Sequence, residues 1–366
     1  MAPDLNPTLA ESTTAERPAT GGDGSPAGGW RERARPFMRW ETGLALVFIA
    51  VVIAGAVSSS SFLSQGNFFF ICLAIGEVAI MTLPMTLIVI TGEIDLSVAS
   101  TLGLASALLG YLWSHGWPMP AAIVTVLAVG AAAGAFNAIL ITRFGLPSLA
   151  VTIGTLTLYR GLAIAILGPL TISNFPERYT NIGINALPHT GFVSYSMGIF
   201  FVLALLFGVA LHMTPFGRTL YAMGLNKDAA LYSGIRVRRT KGLLFVLSGF
   251  LSAGAGVLLT FRLATAVQDN GLGLELSVVA IVLLGGVSIF GGRGTIVGVV
   301  LAVLTYAALQ SALFLTSFNE RAIGMVTGGL LIVSVLVPNV PSFWRRGREA
   351  VRRWSRRRRA AAEGSA

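Results

Sequence analysis

The chain is limited most in how it can fold by a series of apolar runs, each close to the ~20 residues that cross a bilayer as a helix. They are Thr42–Ser58, Phe68–Ile90, Leu96–Trp113, Met119–Thr142, Ser148–Gly168, Tyr195–His212, Gly242–Phe261, Leu274–Phe290, Thr295–Thr316 and Ala322–Val337. Only 11% of the 366 residues are charged, and 54% are hydrophobic. A soluble domain carries about 25% charged residues. The expected fold is an all-α polytopic membrane protein of about ten transmembrane helices. Gly and Pro interrupt several runs, which membrane helices tolerate when neighbours satisfy the backbone.

Charge then sets the topology. With the N-terminus in the cytoplasm and ten alternating spans, 22 of the 26 Lys and Arg fall on the cytoplasmic side. Only Arg178 and Arg321 fall outside, while Arg160 and Arg262 lie within or at the ends of spans. This asymmetry is the positive-inside pattern, and it predicts both termini in the cytoplasm. Residues 1–40 read as a disordered tail with a basic flank, and nothing apolar enough for a signal peptide precedes residue 41. Residues 41–338 form the membrane domain. Residues 339–366 are an Arg-rich tail, suited to anionic lipid rather than to nucleic acid. The single Cys72 forms no intrachain disulfide. His115, His189 and His212 are scattered without ligand spacing, so no metal site is expected.

The largest polar interruption runs from Met213 to Lys241, between two spans. It holds Arg218, Lys227, Arg236, Arg238, Arg239 and Lys241. Within it, Asp228-Ala229-Ala230-Leu231-Tyr232-Ser233 suits a short helix stopped by Gly234. Ala229 and Ala230 are small enough to let a partner's backbone approach. The alternative is a solvated basic loop with no partner.

Asp95-Leu96-Ser97-Val98 recurs as Glu275-Leu276-Ser277-Val278, each after a glycine-containing turn. In the ten-span topology the copies start on opposite sides of the membrane, which suggests a weak inverted repeat. Charge inside a membrane is expensive, so Glu77, Glu93, Asp95, Arg160 and Glu275 need reasons. Glu93, Asp95 and Glu275 fall at expected helix starts, where capping suffices. Glu77 lies within its span. Arg160, after Tyr159, either bonds a hydroxyl of a bound molecule or braces an acidic group such as Glu77, and bracing is the expectation.

These motifs resemble those of the ribose-type (branched-chain amino acid/ribose) permeases of ATP-binding cassette importers. Asp228-Ala229-Ala230-x-x-x-Gly234 is similar to their Glu-Ala-Ala-x-x-x-Gly coupling motif, with Asp for Glu. Gly217, Arg218, Gly224 and Asn226 fit its surroundings. The Asp95-Leu-Ser-Val segment, Leu146-Pro147-Ser148, the Tyr159-Arg160-Gly161 signature and the glycine-rich Gly285–Thr295 stretch add ordered matches over about residues 41 to 338. The resemblance implies a permease subunit that moves a neutral monosaccharide. Rhamnose-type and furanosyl signalling sugars fit best, with ribose and xylose open.

The resemblance also implies partners: a cytosolic ATP-binding subunit on residues 213–241, an external solute-binding protein near Pro169–Gly191, and a second permease copy or paralogue. The chain's lysines, Lys227 and Lys241, sit in no P-loop, so ATP would be bound by the partner subunit, with no cofactor in this chain and no enzyme activity of its own. Glu77, Asp95, Ser97, Tyr159, Arg160, Glu275 and Ser277 are expected to line the path or brace it. The implied location is the bacterial inner membrane. An ion-coupled sugar transporter, or a permease for another small solute such as a branched-chain amino acid, is the alternative.

Overall fold

The computed structural model describes residues 29–316 and five positions beyond them, 324, 325, 328, 329 and 332. The N-terminal tail, nearly all of the tenth expected span and the Arg345–Arg359 tail lie outside the described residues. The chain divides into a short N-terminal unit, Met1–Arg39, and the unit Trp40–Ala366 to which everything below belongs, apart from the first turns of α1.

Among the described residues the architecture is all-helical: α1 Gly29–Ser58, α2 Gln65–Ile90, α3 Val98–Ser114, α4 Met119–Thr142, α5 Ser148–Leu167, α6 Glu177–Ile184, α7 Tyr195–Met213, α8 Pro215–Leu225, α9 Lys227–Tyr232, α10 Val237–Leu263, α11 Leu274–Leu284 and α12 Ile296–Leu315. Seven are long and apolar enough to cross a membrane: the Trp40–Ser58 part of α1, α2, α4, α5, α7, α10 and α12. Of the ten expected spans, seven are full-length helices and two fall on the shorter apolar helices α3 and α11, while nearly all of the tenth lies outside the described residues.

Local chemistry explains where the helices begin. The side chains of Ser64, Ser194 and Thr295 cap α2, α7 and α12 by accepting from the amides of Asn67, Met197 and Gly298. Pro118 and Pro147 sit just before α4 and α5 in extended conformation. α2 continues through Pro84, with the Thr82 and Thr86 hydroxyls bonded to the carbonyls of Ala79 and Thr82.

α2 and α10 form the centre. From Ile75 onward every residue of α2 is buried. α10 is 27 residues long, about 40 Å at 1.5 Å per residue, and packs on α2, α3, α4 and α6. Its seam with α4 is built on absent side chains. A Cβ on Gly134 would collide with the Phe245 carbonyl, and one on Gly249 with the Gly130 carbonyl. Gly130-x-x-x-Gly134 on α4 thus meets Gly249-x-x-x-Ala253 on α10, the small-residue packing that lets membrane helices touch backbone to backbone.

Irregular chain precedes both shorter helices, and α11 also stops at Leu284, where the non-helical residues 285–295 follow. After α2, residues Gly92–Ser97 turn back along α10 in non-helical form. Their backbone is satisfied from α5: the Ile94 amide donates to Ser148 Oγ (3.2 Å), and Thr152 Oγ1 donates to the Ile94 carbonyl (3.3 Å). Before α11, residues 264–273 are irregular, with Ala266 bridging Ile172. The two similar tetrapeptides sit at these two breaks in different registers. Asp95 and Ser97 precede α3, whereas Glu275 and Ser277 lie in the first turns of α11.

Candidate coupling site and buried polar layers

The polar interruption 213–241 is not a loop. α8 and α9 fill it, and Arg238, Arg239 and Lys241 already belong to the first turns of α10. Asn226 separates α8 from α9, and its Oδ1 accepts the amides of Asp228 and Ala229 (both 3.0 Å). Gly234 ends the motif with φ +81°, a conformation that disfavours a side chain.

The predicted coupling residues divide into supports and surface. Gly217 is pressed under the last turn of α7, and Gly224 against the Ile90 carbonyl and the Gly292 amide. In both places a Cβ would collide with backbone. Arg218, Asp228 and Ala229 are exposed. Ala230 corrects the expectation that it faces a partner: it is buried with Met223 and Val237, against Ile235. The outward residues include three that the sequence reading passed over, Leu225, Leu231 and Tyr232, the last 90% exposed.

α8 is held from several sides where α2, α8 and the glycine-rich Gly285–Thr295 segment meet. The Gly292 amide donates to the Ile90 carbonyl (2.8 Å), and Tyr221 Oη donates to the Gly294 carbonyl (2.6 Å). Burial, and then the Glu41 carboxylate, pushes the Tyr221 phenol up to about 12, so it remains a donor. Trp40 Nε1 donates to the Leu284 carbonyl and Thr295 Oγ1 to Glu41 Oε1.

Deeper in the bundle, four of the expected path residues, Asp95, Ser97, Tyr159 and Arg160, take part in two polar layers. In the first, Asp95 is 2% exposed and accepts from the Ser97 amide (3.0 Å), Ser97 Oγ (2.6 Å) and Ser248 Oγ of α10 (2.8 Å). Asn137 Nδ2 donates to Ser97 Oγ (2.8 Å), and Tyr159 Oη donates to the Ala133 carbonyl (2.8 Å). Asp95 therefore knits α3, α4 and α10 together rather than capping a helix dipole. In the second layer, Thr260 Oγ1 and Asn270 Nδ2 both donate to Ser106 Oγ.

Arg160 reaches that second layer and donates to the carbonyls of Asn270 (2.9 Å) and Gln268 (3.3 Å). Asp269 and Glu275 are its charged neighbours. Gly103 leaves the room in which the guanidinium meets the Asn270 carbonyl. Arg160 does not brace Glu77. The partner of Glu77 is Arg262, Nε to Oε1 at 3.0 Å, with the Glu77 side chain 2% exposed. Glu93 pairs with Lys241. Ser277 Oγ lies 3.2 Å from Tyr306 Oη. Among the described residues, the buried atoms Glu77 Oε2, Arg160 Nε and Ser252 Oγ have no hydrogen-bond partner.

At the other end of α10, Pro169–Gly191 is a docked element rather than an open loop. α6 rests on α10 through Gly183, where a Cβ would collide with the backbone of Phe261 and Arg262. Phe175 and Tyr179 stack near Phe261, and Trp113 Nε1 donates to the Asn174 carbonyl (2.7 Å).

Residues 67–335 match the family described as branched-chain amino acid transport system / permease component. The chain belongs to this permease family. It is 34% identical over 333 residues to the autoinducer 2 import system permease protein LsrD of Escherichia coli (strain K12), covering 87% of this chain and 96% of that protein. The protein of the same name from Shigella flexneri matches to the same extent. No solved structure matches the chain. Membership makes this the multi-pass inner-membrane permease subunit of an ATP-binding cassette importer, a transport subunit without its own ATPase site. It also decides against the ion-coupled alternative.

Proposed function

We propose that this permease imports a small neutral sugar-like solute of the autoinducer 2 kind. The observation that carries the proposal is the 34% identity, over 96% of its length, to a permease named for autoinducer 2 import. A branched-chain amino acid is the second reading, favoured by the family's description. In the proposed cycle a cytosolic ATP-binding subunit holds ATP and seats α9 in its groove. A solute-binding protein delivers substrate at the α6 end, and a second permease copy or paralogue completes the path.

Both termini then lie in the cytoplasm, flanked by the tails 1–40 and 339–366, and Ala322–Val337 supplies a tenth crossing. The two tetrapeptide breaks support the inverted repeat. Gly92–Ser97 lies near the α10 start, beside Lys241 and Ser248, and 264–273 lies near its end, beside Thr260. Arg160, Asp269 and Glu275 gather polar groups at the second break and are the proposed lining of the path.

The exposed side chains of α9 test the docking. An aromatic at the centre of an interface is typically worth about 2 kcal/mol or more. Tyr232→Ala is expected to leave membrane abundance unchanged and to lower co-purification of the ATP-binding subunit at least tenfold, together with uptake of labelled autoinducer 2. Unchanged co-purification removes α9 as the docking element. Uptake that excess leucine abolishes and autoinducer 2 does not would transfer the assignment to the amino-acid reading.

A further inference from the structure

α9 is joined to α10 by residues 233–236 alone, and α10 is then fastened twice to the Gly92–Ser97 break. Lys241, in the second turn of α10, is 5% exposed and pairs with Glu93 Oε1. Ser248, two turns on, donates to Asp95 Oδ2 at 2.8 Å. The break is also held by Ser148 and Thr152 of α5 and, through Ser97, by Asn137 of α4. The Lys241 site is a costly place for a cation. Arg238 and Arg239, on the preceding turn, stay exposed and serve charge-based topology equally well. Glu93 is partly buried, its side chain 17% exposed; a pair withdrawn this far from water adds little stability against an apolar pair of similar size, and the best-attested role of such pairs is fixing register. The register fixed here is that of α10 against α2 and α3.

At its far end α10 carries Arg262, paired with Glu77 of α2, and supports α6 through Gly183. One continuous helix therefore connects the element that contacts the ATP-binding subunit to the opposite end of the bundle.

We propose that Glu93 and Lys241 are positioning residues that lock α10 to the Gly92–Ser97 break, so that displacement of α9 travels along α10 as a rigid rod and reaches α6. The proposal rests on the importer reading above. It makes this pair a determinant of coupling between nucleotide state and the opposite face, separate from the docking surface. No contact of Glu93 or Lys241 with the ATP-binding subunit or the solute is required.

The test uses the permease co-purified with its ATP-binding subunit, in a Cys72→Ser background with Arg178→Cys on exposed α6 carrying a fluorophore. In the parent, trapping with ATP and vanadate is expected to change the fluorescence at position 178. Removing one charge alone strands the other, so the informative variant is Glu93→Gln with Lys241→Met. It is expected to keep abundance, co-purification and ATP hydrolysis within about twofold, and to lose at least 80% of the vanadate-induced change. The swap Glu93→Lys with Lys241→Glu is expected to restore more than half of it, which a merely space-filling role would not. A neutral pair that retains the full change overturns the proposal, as does a parent that hydrolyses ATP without any change at 178. Failure of the parent to co-purify with any ATP-binding subunit overturns the importer reading, and the proposal with it.

Discussion

Glu77 and Arg262 illustrate how much a single partner decides. The pair lies in the α2–α10 contact, with Glu77 almost wholly buried. Breaking a buried pair by removing one member costs about 3–5 kcal/mol, because the remaining charge is left uncompensated. Arg262→Gln and Glu77→Gln are each expected to lower the yield of monodisperse protein in detergent sharply, and the double variant should be milder than the sum of the two. Arg160→Gln with Glu77→Gln should instead be additive, since those side chains are not partners. Strict additivity of Glu77→Gln with Arg262→Gln would count against the pair. The sequence exposed Glu77 and Arg160 as charges needing an explanation, but not their partners. Partnership depends on which levels of α2, α5 and α10 face each other, and no spacing along the chain encodes that. Ala230 was misread for a related reason. A six-residue helix has too few turns for periodicity to reveal a face, and the direction of its side chain is set by Met223 and Val237 on neighbouring elements.

Helix boundaries were far more legible, because length and apolarity determine them locally. α4 runs over Met119–Thr142, as the sequence predicts, and α5, α7 and α12 differ by a residue or two at their ends. α3, Val98–Ser114 against an expected Leu96–Trp113, is also close; the larger misses are α11, which stops at Leu284 where the expected span continues to Phe290 through residues that do not coil, and α10, which starts at Val237 rather than Gly242. Backbone bonds from Ser148 and Thr152 sustain the break before α3, and they come from another span. The α4–α10 seam left a readable trace, Gly130-x-x-x-Gly134, though its partner helix did not follow from it. Gly134→Ala places a methyl against the Phe245 carbonyl, and overpacking of this kind costs about 1–3 kcal/mol. The expected result is a heat-denaturation midpoint in detergent lower by several degrees. Gly154→Ala on α5, where a Cβ meets nothing within 4 Å, should leave it unchanged. Equal effects from the two substitutions would mean that helix propensity, not the seam, governs stability.

Across the whole molecule the basic residues and the helix packing can be compared independently. The positive-inside rule predicts a cytoplasmic location for the α9 end, because Arg218, Lys227, Arg236, Arg238, Arg239 and Lys241 gather there. Packing needs no charge rule and separates α9 from α6 by the length of α10, about 40 Å. That exceeds the ~30 Å hydrocarbon core of a bilayer, so α9 and α6 belong to opposite faces if α10 crosses. A labelling experiment on intact cells, in the Cys72→Ser background, tests charge and packing together. Ser233→Cys, at the exposed end of α9, should resist a membrane-impermeant maleimide until the membrane is opened. Arg178→Cys, exposed on α6, should be labelled at once. Both positions lie outside the spans and bear no ion pair among the described residues, so neither substitution should alter abundance. Labelling of both from the same side would mean that α10 does not cross, and the docking, path and rod arguments built on it would fail together. Labelling of both with the sides exchanged would preserve the fold and the rod, but would turn α9 away from ATP and set this chain against the importer topology that its relatives imply.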